Sequence, residues 1–122
     1  MNEKIKQLLE NSKGKTIGVF IDNANWFYPQ KELGWQVSFS KLLILLKEYF
    51  EIKTVKDLDM VIVGSGDSDF LEAKNFVIEN KKSFLVLCFE KGVAWEMRKL
   101  HHIFLEDLRD IIKQEKQKEK IG

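Results

Sequence analysis

Three short apolar runs decide most of what this chain can fold into: TIGVFI (16–21), MVIVG (60–64) and SFLVLCF (83–89). Each is rich in β-branched and aromatic residues and stops at polar or turn-forming ones, the pattern of strands buried on both faces. The segments between them carry the helical period instead. Ile5, Leu8 and Leu9 share one face of 2–11. Phe39, Leu42, Leu43, Leu46, Tyr49 and Phe50 share another, after Ser38 and Ser40, either of which can cap that helix. Phe70, Ala73 and Val77 continue the pattern to about Asn80. Strands alternating with helices predict an α/β fold with a mainly parallel sheet. In such a sheet every strand ends on the same edge, and ligands bind in the crevice outside those ends.

Weaker signals fill in the rest. EIKTVK (51–56) reads as a short edge strand, and HIFLE (102–106) as a terminal one. Ala94, Met97 and Leu100 form the inner face of a short helix. DNANWFYPQKELGW (22–35) starts with turn formers and holds the only proline, Pro29, so a loop with a short helical piece is expected. A last helix over 107–120 ends in a solvated lysine and glutamate run.

A length of 122 residues fits one domain, 1–122. With 44% hydrophobic residues the chain can bury a core without a disulfide. A formal net charge of +1 gives no overall basic footprint, so any polyanion site must be a local patch. Cys88 is the only cysteine and reads as a small buried hydrophobe. That usage suits a reducing compartment, so a cytoplasmic location is expected. LLILL (42–46) and FLVLCF (84–89) fall far short of the ~20 residues of a membrane span. The lysine-bearing N-terminus has no apolar run, so no signal peptide is expected.

Carboxylates stand where a ligand is expected. Asp22 directly follows TIGVFI, and Asp67 and Asp69 follow MVIVG. If those strands are neighbours, three acids from distant sequence meet on one edge. Crowded carboxylates repel one another unless a cation lies between them. Mg²⁺ takes oxygen ligands, keeps several waters and uses one or two carboxylates directly, and such a site can cleave a phosphodiester. The same acids also have a structural reading. An aspartate after a strand caps the next helix or closes an Asx turn, and Asp69 stands just ahead of FLEAKNF. Gly64 and Gly66 around Ser65 permit either a tight turn or close approach of a ligand. Asn23 and Asn25 can bond Asp22 or a substrate, or shape the loop. Lys91, Arg98 and Lys99 form a small basic group that can meet phosphates or stay solvated. His101 and His102 are adjacent and would diverge on a helix, which argues against zinc.

Together, GVFIDNANWF and MVIVGSGDSDFLEAKNFVIENKKSFLVLCF resemble the NYN domain, a branch of the PIN-like nuclease superfamily. The likeness covers most of 16–108 and continues through EKGVAWEMRKLHHIFLEDL. Two motifs carry it: aspartate-x-x-asparagine ending one strand, and serine-glycine-aspartate-x-aspartate-phenylalanine ending a later one. Asp22, Asn25, Ser65, Gly66, Asp67, Asp69 and Phe70 fall on that pattern. The resemblance implies a three-layer PIN-like, Rossmann-like fold with a sheet of about four to five strands flanked by helices. It also implies a Mg²⁺- or Mn²⁺-dependent ribonuclease, with Asp22, Asp67 and Asp69 as catalytic metal ligands. RNA is then the expected partner, with a homodimer among the assemblies open to it. Asn23, Asn25, Ser65, Gly66, Lys91 and Arg98 become the candidate substrate-binding residues.

The likeness has gaps. Family members carry a longer segment between the helix after the first motif and the strand before the second, including a helix that offers another acid. Here only EIKTVKDLDM lies there. Its Asp57 and Asp59 precede MVIVG, which puts Asp59 ~20 Å from Asp67. A late aspartate of the family is absent too, and His102 stands near its place. Two readings follow: a ribonuclease, or a degenerate NYN module that binds RNA or a protein without cleavage. GDSDF is also similar to the late acidic motif of haloacid-dehalogenase-like phosphatases, but that chemistry needs an acid where Ala24 stands.

Overall fold

The computed structural model describes residues 1–52 and 58–115, with the side chains of Asp69, Glu72, Ala73 and Phe76 outside the described set. Its strands are β1 (Thr16–Ile21), β2 (Glu51–Ile52), β3 (Met60–Gly64), β4 (Ser83–Cys88) and β5 (His102–Phe104). They form one sheet, all parallel, in the order β2-β1-β3-β4-β5. TIGVFI and MVIVG are therefore neighbours, in register from Ile17 opposite Met60 to Ile21 opposite Gly64.

Helices cover both faces. On one, Leu9 of α1 (Glu3–Asn11), Trp26 of α2 (Asn23–Leu33), Leu42 of α3 (Phe39–Tyr49) and Ile112 of α5 (Arg109–Ile112) join a core with Ile17, Ile62, Leu85 and Ile103. On the other, Leu71 and Val77 of α4 (Leu71–Glu79), with Met97 of the 3-10 turn Trp95–Lys99, pack against Val63, Phe84, Val86 and Cys88. The helices after β1 and the helix after β3 thus lie on opposite faces. The chain winds outward from the β1/β3 pair in both directions, the reversal outside whose carboxyl ends ligands of open α/β sheets bind.

Four sequence expectations need correction. Residues 23–33 form a full helix, despite Pro29. The proline forfeits one backbone bond, but Asp22 caps the start and Gly34, at φ 77°, closes the end with its N–H on the Gln30 carbonyl. Burial of Trp26 adds the tertiary contribution that propensity omits. The last helix ends at Ile112, because Lys113 bridges Val37 and the Gln114 N–H donates to the Gln36 carbonyl at 2.8 Å. The stretch 116–120 of that expected helix, and 53–56 of the expected edge strand, lie outside the described residues. β1 is not buried on both faces throughout, since Phe20 is 60% exposed. Only residues 53–59 separate β2 from β3, where a parallel crossover usually takes about a dozen or more. Phe39 is also exposed, while Leu45 joins Leu42 and Leu46 in the buried stripe. No helix among the described residues is long and apolar enough to cross a membrane.

Candidate active site

The site begins with the step from β1 into α2. The Asp22 N–H donates to the Gly64 carbonyl at 2.9 Å, extending the β1/β3 ladder by one residue. The Asp22 side chain then caps α2, its Oδ1 accepting the Asn25 N–H at 3.2 Å. One turn in, Trp26 is fully buried. A Cβ on Gly64 would lie 2.7 Å from Trp26 Cζ2, so glycine at the end of β3 is what lets the indole lie there. Trp26 Nε1 is buried with no partner among the described residues, so packing alone holds the ring. Phe89 meets it edge-on at 6.0 Å. The tryptophan thereby fixes the start of α2 against the carboxyl end of β3.

Both sequence motifs converge here. Ser65 is buried, and its hydroxyl donates to Asp22 Oδ2 at 3.3 Å while accepting the Asp67 N–H at 3.1 Å. Asn25 Oδ1 accepts the Gly66 N–H at 2.7 Å. So Asp22 grips Ser65 and Asn25 grips Gly66. A spacing of three residues on one helical turn puts both side chains on the side that faces the β3 loop. The Gly66 carbonyl accepts the Ala94 N–H at 2.9 Å, and Val93 packs against the Gly66 Cα side. The loop after β4 thus closes the third side.

Of the expected site residues, Asp22, Asn25, Ser65, Gly66 and Asp67 come together. Asp67 is half-buried beside Ser65. Asp69 lies in the 3-10 turn Ser68–Phe70, and its side chain is outside the described set, so the expected third carboxylate is not placed. Among the described residues no three His, Cys, Asp or Glu side chains converge. Asn23 is exposed and faces a groove beside α2. Lys91 pairs with Glu32 at 2.9 Å. The Arg98 guanidinium sits over Phe104 and reaches the Glu90 carbonyl at 3.5 Å. Both cations therefore lie on the loop flanking the site, held by partners of their own.

Asp59 is at the opposite edge, as its position before β3 implies. Its Oδ2 accepts the Thr16 N–H at 2.9 Å, and its own N–H donates to the Thr16 carbonyl. Sequence reasoning missed Trp26 as an anchor. The signal was the pairing of a glycine at one strand end with a tryptophan four residues past the acid at the other. The sequence reads Trp26, Trp35 and Trp95 as core or rim residues with base stacking open to one of them; Trp26 and Trp35 are buried, and Trp95, directly after Ala94, is 69% exposed.

A divalent cation can be tested against these donors. Asp22, Asp67 and Ser65 offer oxygen only, the set a hard cation prefers. Both Asp22 oxygens already accept a hydrogen bond, yet a carboxylate has about four lone-pair sites. These are donor types that Mg²⁺ and Mn²⁺ accept. Compared with protein-family models, curated proteins and solved structures, the chain matches none of them.

Proposed function

We propose that this protein is a Mg²⁺- or Mn²⁺-dependent ribonuclease acting at the carboxyl edge of the β1/β3 pair. One observation carries the reading: the D-x-x-N and S-G-D motifs are hydrogen-bonded into a single constellation at the sheet's reversal point. Asp22 and Asp67 would hold the cation, with Asp69 as the third carboxylate the sequence supplies. A cation bound there supplies positive charge to the scissile phosphodiester and acidifies a water. Ser65 orients the Asp22 carboxylate by donating to it, and Asn25 fixes the loop by accepting from Gly66. The exposed indole of Trp95 offers a face for a base, next to Arg98 and Lys99 for phosphates.

A second reading is a module that binds RNA without cutting it. It is favoured by the internal bonds on both Asp22 oxygens, which a purely structural cap also explains. Cleavage of a labelled single-stranded RNA separates the two. Mg²⁺ or Mn²⁺ should support cutting, chelator should stop it, and Asp67→Asn should abolish it with the melting temperature unchanged. Asp59→Asn, at the far edge, keeps an acceptor for the Thr16 N–H and should cut like the wild type. RNA binding without metal-dependent cleavage would hand the site to the second reading.

A further inference from the structure

A groove of about 530 Å³ opens where α2 and the start of α3 meet residues 36–38. Its walls include Asn23, Phe27, Gln30, Gln36, Phe39 and Gln114. Asn23, Phe27 and Gln30 fall on one face of α2, and Asn23 directly follows the capping Asp22. The groove is thus lined from the first residue after the capping aspartate, along α2.

Its chemistry is specific in two respects. Among the described residues none that lines it is charged, so the groove suits an uncharged planar group better than a phosphate. Its four side-chain amides each offer donors and an acceptor, the mixture that the edge of a nucleobase presents. Gln30 Oε1 is already occupied by the Val37 N–H at 2.9 Å, which leaves its NH₂ to donate. The aromatic component is preorganised. Phe39 lies nearly parallel to the buried Trp26, at 15° and 6.1 Å between centroids, and is still 42% exposed. Ser38 holds it at the first position of α3 by capping that helix. Phe27, 56% exposed, stands on the opposite helix.

We propose that this groove binds an unpaired base of the RNA strand whose backbone crosses the acid edge, with Phe39 as the stacking platform and the amides reading the base edge. Its location within 300–1,000 Å³, the usual range of small-ligand sites, accords with a single base and its sugar. That the base belongs to RNA rests on the ribonuclease reading; the groove's own capacity for a base does not.

The test separates the two. Uridine, cytidine, adenosine and guanosine, which carry no phosphate, are titrated one at a time into the ¹⁵N-labelled protein in chelator. Amide shifts are expected at Asn23, Gln30, Gln36 and Gln114 for at least one nucleoside, with little change at Asp67. Phe39→Leu should weaken that nucleoside about tenfold, the loss of one stacking contact. Phe27→Ala, at an exposed position, should weaken it with no change in melting temperature. Absence of groove shifts with all four nucleosides, or shifts indifferent to both substitutions, overturns the groove even if RNA is cleaved. Groove shifts in a protein that shows no metal-dependent cleavage sustain the groove and overturn only the ribonuclease reading.

Discussion

At the scale of single residues, Gly64 has the narrowest tolerance. Its missing side chain is what admits the Trp26 ring, with the Ile21 side chain 3.2 Å from the same point. Gly64→Ala must therefore push Trp26 outward, an overpacking that costs about 1–3 kcal/mol. Thermal melting should show the loss. RNA cleavage should fall with it, because the same ring seats the start of α2 against Ser65. An unchanged melting temperature would mean that Trp26 does not rest on β3. Cys88 gives a pH-dependent counterpart. Burial first, then the Glu106 charge, pushes its thiol up to about 12 from 9.0, against a smaller opposing effect of Arg98. The unfolded chain thus releases this proton at lower pH than the folded one. The contribution of this thiol to stability is constant below about pH 9 and falls as pH rises from there toward 12. Denaturant melts across that range should show a shallower decline for Cys88→Ala than for the wild type. A thiol reagent at neutral pH should modify Cys88 only on unfolding.

At the scale of elements, legibility in the sequence followed how local each determinant is. β1, β3 and β4 were readable because an inner strand of a parallel sheet is a continuous apolar run, and these runs have hard polar ends, even though Phe20 leaves β1 exposed on one face. A serine cap at Ser38 or Ser40 was readable for the same local reason, and Ser38 is the one that takes it. α2 was not, because DNANW and Pro29 speak locally for a loop while the decisive term is tertiary, the burial of Trp26 between Gly64, Phe39 and Phe89. The end of α5 was missed because the competitor of the helix is a distant segment, Gln36 and Val37, which pairs with Lys113 and Gln114. The site shows the same division. That Asp22 and Asp67 share an edge follows from strand order. That Ser65 joins them through one hydroxyl, and that Asn25 holds Gly66, are facts of side-chain geometry that no spacing rule contains.

At the scale of the whole molecule, the fold and the site draw on the same interactions. The α2 cap, the β1/β3 ladder and the loop after β4 all close on Asp22, Ser65 and Gly66. A cation seated there would join three parts of the chain that the unfolded state keeps apart, so it should bind the native state alone. At about 100 times its dissociation constant, such a ligand adds roughly 2.7 kcal/mol. For a domain of this size that raises the melting temperature by roughly 8–15 °C. Asp22→Asn isolates the effect. Asparagine caps a helix as well as aspartate does and still accepts the Asn25 N–H, so the metal-free melting temperature should stay close to that of the wild type. The rise with Mg²⁺ or Mn²⁺ should disappear, because a carboxylate ligand has gone while the cap has not. If the substitution instead lowers stability in chelator and leaves the metal response intact, Asp22 serves the fold rather than the ion. The acid edge would then have to be assigned to Asp67 and Asp69 alone.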